Sequence, residues 1–301
     1  VLFEEEEYVI NVGPQHPATH GVLRFRVSLE GEIIKKLDVH CGYIHRGIEK
    51  MCEELTYPQT LALTDRLDYL GASQNRHALC MCIEKGLGVE VPERVQYIRT
   101  IMDELQRIDS HLLFFACLCM DMGALTAFFY GFRDREKVLD ILEQTTGGRL
   151  IQTYNTIGGV QADIHPDFVR KVKEFIAYMR PVLREYHEIF TGNVIAQERL
   201  KGTGVLTRED AISFGATGGT GRAAGWACDV RKRHPYAVYG KVDFEEVLFT
   251  EGDCLARYMV RMREIEQSMH IIEQLIDNIP EGEYQLKMKP VIRIPEGSYY
   301  A

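Results

Sequence analysis

Val95-Gln96-Tyr97-Ile98-Arg99-Thr100-Ile101-Met102-Asp103-Glu104-Leu105-Gln106-Arg107-Ile108-Asp109-Ser110-His111-Leu112-Leu113-Phe114-Phe115-Ala116-Cys117-Leu118-Cys119 carries the period that decides the fold. Val95, Ile98, Met102, Leu105, Ile108, Leu112, Phe115 and Cys119 step by three or four, which is the signature of one face of a long amphipathic helix. From Leu112 to Leu118 the stretch is apolar all round, which predicts an end buried on every side. A helix of this length is about 38 Å long at 1.5 Å per residue, enough to run through a domain as its central element.

Outward from it, further helices are predicted at about 58–87, 134–146, 166–190 and 253–278, the last rich in opposed charges such as Arg261, Arg263, Glu264 and Glu266. On the N-terminal side the period changes. Leu23, Phe25, Val27 and Leu29 alternate with Arg24, Arg26 and Ser28, as in a half-buried strand, and Tyr8 to Val12 and Ile33 to Val39 flank it, with Glu30-Gly31 turning into the second. Residues 202–240 are glycine-rich and irregular, and the chain shows no internal repeat and no low-complexity linker. The fold class is therefore α+β and mainly α-helical: one domain over 1–301, with a small N-terminal antiparallel sheet and a long-helix core.

Composition narrows the function. The 301 residues are 46% hydrophobic, enough for a substantial core, while a formal charge of -9 lacks the cationic excess that a nucleic-acid partner requires. No apolar run approaches the roughly 18 residues needed to cross a bilayer; Leu112 to Met120 is about half that length. The chain opens Val1-Leu2-Phe3 and four glutamates, without the basic segment of a signal peptide, so a cytosol-side location is expected. Eight cysteines include two C-x-C pairs and no C-x-x-C; most lie in apolar helical stretches, where thiols are expected to pack as small buried hydrophobes.

Two motifs fail on their context. Gly219-Thr220-Gly221-Arg222-Ala223-Ala224 fits the loose G-x-G-x-x-A dinucleotide pattern, but Ala211 to Gly215 supplies no strand before it, so a turning loop is the plainer reading and the chain is not expected to bind NADH itself. Asp38-Val39-His40-Cys41-Gly42-Tyr43-Ile44-His45 offers one thiolate and two imidazoles, with no second cluster to complete a metal site.

Three stretches are more informative: Gly13-Pro14-Gln15-His16-Pro17-Ala18-Thr19-His20-Gly21, Gly42-Tyr43-Ile44-His45-Arg46-Gly47-Ile48-Glu49-Lys50 and Asp65-Arg66-Leu67-Asp68-Tyr69-Leu70. In the first, two X-Pro steps hold the chain extended and a glycine after His20 permits a sharp turn, so that His20 is presented from a loop. Such a histidine is most often a surface residue, although its ordinary pKa suits proton transfer. Tyr69 falls in a helical stretch, where a tyrosine is ordinarily a core residue with its hydroxyl at the boundary. Asp121 follows the apolar run 114–120, where a carboxylate is costly to bury unless it is paired, or caps the next helical turn.

These stretches, with Asp121-Met122-Gly123-Ala124-Leu125-Thr126, Phe128-Phe129-Tyr130-Gly131-Phe132-Arg133 and Ile157-Gly158-Gly159-Val160, resemble in order and spacing the hydrogenase-large-subunit-like chain of respiratory complex I, called the D subunit in bacteria. The likeness runs from about Asn11 to about Ser268. It implies a nickel-iron-hydrogenase large-subunit-like fold, here lacking the family's C-terminal part, and a peripheral-arm subunit of a proton-pumping NADH:quinone oxidoreductase. Quinone is then the substrate, held at its headgroup by the residues matching His20 and Tyr69, with Asp121 paired to that histidine. Arg66 matches an arginine beside the terminal 4Fe-4S cluster, which is ligated by a neighbouring iron-sulphur subunit, so that this chain alone binds no cofactor. Other partners implied are further peripheral-arm subunits and the membrane-arm quinone-channel subunit. The implied location is peripheral, on the cytoplasmic face of the bacterial inner membrane, or the matrix or stromal side in an organelle. Two rivals stand beside it. An active nickel-iron hydrogenase needs two C-x-x-C pairs, and neither is present; a non-catalytic scaffold keeps the fold without the chemistry.

One departure from the family pattern generates a prediction. Arg149-Leu150-Ile151-Gln152-Thr153-Tyr154 has isoleucine where many relatives place a histidine near the terminal cluster. Ile151 binds no proton, so in the assembled complex the cluster's midpoint potential is expected to vary only weakly between roughly pH 6 and 8, where a histidine titrates. A redox titration giving a full proton-coupled slope in that range would refute it.

Overall fold

A computed structural model gives the architecture and describes residues 7–16, 21–289 and 291–301. The chain forms two compact units, Val1–Leu55 and Thr56–Ala301.

In the first unit the alternating pattern becomes an antiparallel sheet of β1 (Glu7–Val12), β4 (Arg24–Glu30) and β5 (Ile33–His40), ordered β1-β4-β5. Val27 faces Ile10 on one side and Leu37 on the other, and the register shifts between Ser28 and Leu29. Strands β2 (Gln15–His16) and β3 (Gly21–Val22) form a small second ladder, and helix α1 (Ile48–Glu54) follows. At Gly13, φ is +92° and an added Cβ would lie 1.9 Å from the Leu23 carbonyl oxygen, so only glycine fits where this loop crosses the strand.

The second unit is built on α4 (Glu93–Asp121), the long helix read from its period. Its apolar end is buried on one face rather than on every side: Leu112, Phe115, Ala116 and Cys119 are buried, while Leu113, Phe114, Cys117 and Leu118 are half-buried. Against it pack α5 (Leu125–Thr146) and α11 (Cys254–Ile276), with α6 (Phe168–Tyr186) beyond. Gly123, at φ +82°, ends α4 and lets α5 begin nine residues before the expected start. An added Cβ at Gly131 would lie 2.8 Å from the Ala116 Cβ, so glycine sets how closely α4 and α5 approach. Phe115 stacks on Tyr186 at 4.1 Å with Phe190 and Tyr258 around them, and such a buried aromatic contributes about 2–3 kcal/mol by removal from water.

The helix expected over 58–87 is two: α2 (Tyr57–Thr64) and α3 (Ala72–Leu87), separated by a 3-10 turn at Tyr69–Gly71. The helix expected over 166–190 relaxes after Tyr186 into a π-turn, His187–Thr191. Within 202–240 lie short helices α8 (Arg208–Ser213), α9 (Gly218–Ala223) and α10 (Val230–Arg233), after α7 (Val194–Leu200). The glycines of Gly219-Thr220-Gly221 thus belong to α9, preceded by helix rather than strand. A hairpin of β6 (Asn155–Thr156) and β7 (Gly159–Val160) lies against α3. All eight cysteines are free thiols; Cys80 and Cys119 are buried, five are half-buried and Cys41 is exposed, so the expected burial holds fully only for two.

What the apolar period hid is a set of charges inside the second unit. Arg99 grips both oxygens of Glu84 on α3, at 2.7 and 3.0 Å, and donates to the carbonyls of Thr156 and Gly159, tying α3, α4 and the hairpin together. Glu104, fully buried, accepts from Arg231 at 3.0 Å, Arg107 at 3.2 Å, Ser268 at 2.6 Å and the Tyr239 hydroxyl at 2.5 Å. Burial pushes its pKa up, but Arg107 and Arg231, helped by Ser268 and Tyr239, outweigh it and hold the carboxyl at about 2. A depressed pKa gives stability present above the ordinary carboxylate value and lost as pH falls from there through about 2. Glu104→Gln, which leaves two guanidinium groups undercompensated, is expected to cost about 3–5 kcal/mol in urea unfolding of the purified chain and to weaken the acid loss of stability. An unchanged midpoint would show that the node is not structural.

Candidate functional site

The Asp65–Gly71 segment is where the second unit exposes chemistry. Asp65 caps the end of α2 and is buried, its carboxylate 2.8 Å from Arg76 on α3, which also donates to the Asn155 carbonyl. Burial raises the Asp65 pKa against the pull of Arg76. With that carboxylate drawn inward the helix stops, and the chain crosses to α3 as a short projecting turn. Asp68 starts the turn, its side chain accepting from the Leu70 amide at 3.0 Å, while its carbonyl accepts from Gly71 at 3.0 Å and Asn75 Nδ2 at 3.1 Å. From below, Gln106 Nε2 of α4 donates to the Leu70 carbonyl at 3.2 Å.

Tyr69 therefore stands on an anchored turn and is 48% exposed, which overturns the expectation of a helical core tyrosine. Arg66 belongs to the same segment; it is exposed and folds back to donate to the Ala62 carbonyl at 2.6 Å. Asp121 ends α4 and is exposed, so the cost of burying a carboxylate does not apply to it. It sits 15 residues beyond Gln106 on the same helix, about 22 Å along the axis, so Tyr69 and Asp121 are not brought together through α4. His20 lies outside the described residues, while His16 in the same motif is exposed at the end of β2. Among the described residues, no three of His, Cys, Asp and Glu gather where they could hold a metal ion, and no helix is long and apolar enough to cross a membrane.

Beneath the turn is a polar junction that the sequence reading missed. Gln106 Nε2 also donates to Asp109 Oδ2 at 3.0 Å, and Gln106 Oε1 accepts from Gln152 Nε2 at 2.6 Å. Asp109 is paired with Arg135 of α5, whose Nη2 donates at 3.2 Å. A second buried group, Asp103 with His77 at 2.6 Å and Ser73 at 2.7 Å, lies nearer the start of α4. The signal was present: Asp103, Gln106 and Asp109 recur every third residue, a polar stripe beside the apolar one.

Comparison with known proteins agrees with this architecture. Residues 121–300 match the family described as the 49 kDa subunit of respiratory-chain NADH dehydrogenase. A Phocaeicola vulgatus protein, named as the C/D subunit of NADH-quinone oxidoreductase, is 87% identical over all of this chain, which spans 58% of that relative's length. The chain thus covers little more than half of this protein, as it does of its 79% identical counterpart in Bacteroides thetaiotaomicron. The D subunit of the Geobacillus kaustophilus NADH-quinone oxidoreductase is 44% identical, with all of this chain matching 82% of that protein. Among solved structures, a chain of the membrane-bound sulfane sulfur reductase, an archaeal respiratory membrane complex, superposes with a TM-score of 0.93 at 34% identity, covering 99% of this chain and 81% of its own. With a family match over more than half its length and a 44% identical relative covered for more than two thirds, this chain belongs to the family of the 49 kDa subunit of respiratory-chain NADH dehydrogenase.

Proposed function

We propose that this chain forms part of the quinone-reduction site of a proton-pumping NADH:quinone oxidoreductase, as a peripheral-arm subunit on the cytoplasmic face of the membrane. The observation that carries it is the exposed Tyr69 on a turn whose backbone is fixed by Asp68, Asn75 and Gln106, in a chain of this family. A phenol held this way is a preorganised donor toward a quinone oxygen, and His20 is its counterpart toward the other. Reduction takes two electrons and two protons. A 4Fe-4S cluster held by a neighbouring iron-sulphur subunit would supply the electrons, and Arg66 would be the residue of this chain beside it. As negative charge grows on the quinone oxygens, Tyr69 and His20 stabilise it and pass on protons, and the quinol leaves toward the membrane-arm channel subunit.

The 34% identical sulfane sulfur reductase chain favours a second reading, in which the same fold serves as a scaffold in a related membrane complex without quinone chemistry. Tyr69→Phe in the assembled complex separates the two. Quinone turnover is expected to fall about tenfold or more, the worth of one charge-assisted hydrogen bond, with subunit content and cluster reduction unchanged. Wild-type turnover would give the scaffold reading the ground.

Asp121 enters after the chemistry. Once His20 gives up its proton, Asp121 loses a cationic partner, and that change of charge is the signal proposed to reach the proton-pumping arm. Asp121→Asn should keep quinone reduction within a few-fold of wild type while lowering the number of protons pumped per quinone. An unchanged stoichiometry, read from proton uptake and quinone reduction in the same vesicles, would remove Asp121 from the relay.

A further inference from the structure

The polar junction under the turn has a direction built into it. Gln106 uses both amide hydrogens, one on the Leu70 carbonyl and one on Asp109 Oδ2, and its oxygen faces Gln152. A carboxamide has two nearly isosteric orientations, related by exchange of its O and NH2. Here two acceptors make the choice: the Leu70 carbonyl and an ionised Asp109 both accept only, so each takes one hydrogen of the NH2, and only the demand of Asp109 depends on its charge. Reversing the amide would set two oxygens against each other at the Leu70 carbonyl.

Asp109 is not held firmly in that ionised form. It is fully buried, and of its two contacts with Arg135 only Nη2–Oδ2 at 3.2 Å is aligned as a hydrogen bond; Nε lies 2.9 Å from Oδ1 but out of line, leaving Oδ1 without a hydrogen bond. Burial drives its pKa up to about 6, more than Arg135 and Gln106 pull it down, and Glu136 adds to the rise. The charged groups acting on it are thus Arg135 and Glu136 of α5; the turn contributes the Leu70 carbonyl and the 148–154 segment contributes Gln152.

We infer that Asp109 is a positioning residue for Tyr69: ionised, it orients Gln106 so that the 69–71 turn is anchored to α4, and protonated, it releases that anchor. A carboxyl protonated at Oδ2 can donate to Gln106 Oε1, and Gln152, whose own Oε1 has no hydrogen-bond partner, can turn to accept from the relocated NH2; the reversed amide becomes competitive and leaves the Leu70 carbonyl without a donor. The step moves one proton onto Asp109 and breaks one hydrogen bond to the turn. The effect on quinone rests on the proposed role of Tyr69 at the quinone, whereas the effect on the turn does not.

The test uses the assembled complex and two variants, Asp109→Asn, nearly isosteric and unable to titrate, and Gln106→Met, which removes the amide and keeps its bulk. Hydrogen exchange of the segment 66–72, corrected for intrinsic rate, reads the anchor directly. Wild-type protection is expected to fall about tenfold between pH 7.5 and 5.5, to be equal at the two pH values in Asp109→Asn, and to be low at both in Gln106→Met, whose kcat/KM for quinone falls about tenfold. Wild-type protection that ignores pH, a fall that persists in Asp109→Asn, or wild-type protection in Gln106→Met would each overturn the inference. Tyr69→Phe in the same preparation separates the two readings. An inactive Tyr69→Phe beside a fully protected Gln106→Met sinks the inference and keeps the quinone reading. An active Tyr69→Phe beside a deprotected Gln106→Met sinks the quinone reading and keeps the anchor.

Discussion

A carboxylate with no exposure to water holds the second unit together. Glu104 sits midway along α4, and the donors that reach it from outside the helix are distant in sequence: Arg231 after α10 begins, Tyr239 from the loop beyond, Ser268 from α11. Leaving such a charge unpaired would cost several kcal/mol, so the segments that supply its donors are fixed in place as firmly as those that fill the apolar core. This explains how the glycine-rich stretch between α7 and α11 is ordered although it has little hydrophobic periodicity of its own. Arg231 is a buried cation clamped between Glu104 and Asp229, and its loop follows it.

The same helix sets the candidate site. Arg99, Glu104, Gln106 and Asp109 project from α4 toward different neighbours, so a single rigid rod fixes the hairpin at 155–160, the inner loops and the Tyr69 turn relative to one another. A tyrosine on a two-helix connection would ordinarily be mobile. Here a backbone carbonyl of the turn is bonded to a buried side chain of the longest helix in the unit, which fixes the backbone from which Tyr69 projects. A side chain carried on such a turn is accessible while the backbone beneath it is already ordered.

Membership in the 49 kDa subunit family accounts for the fold and leaves local chemistry open. The 34% identical sulfane sulfur reductase chain shows that the same backbone, at a TM-score of 0.93, occurs in a respiratory complex of another name. Discrimination between such activities lies in individual side chains and their supports.

Periodicity alone settled the elements whose residues repeat: the central strand of the sheet from its alternation at 23–29, and α4 from apolar steps of three and four, because those periods are properties of the backbone. The order and spacing of the motifs settled the family, since only a shared structure keeps them in register. The break between α2 and α3 was not legible, because nothing local in Asp65-Arg66-Leu67-Asp68 forbids a helix; Arg76, itself held by the Asn155 carbonyl far along the chain, draws Asp65 inward and leaves Tyr69 on a turn. Nor was the burial of Glu104, Asp109 and Arg231, because a charged residue's partners are chosen by tertiary packing. Folding brought their donors and acceptors within 3 Å or so, and that proximity turned a polar stripe on a helix into the support of an exposed turn.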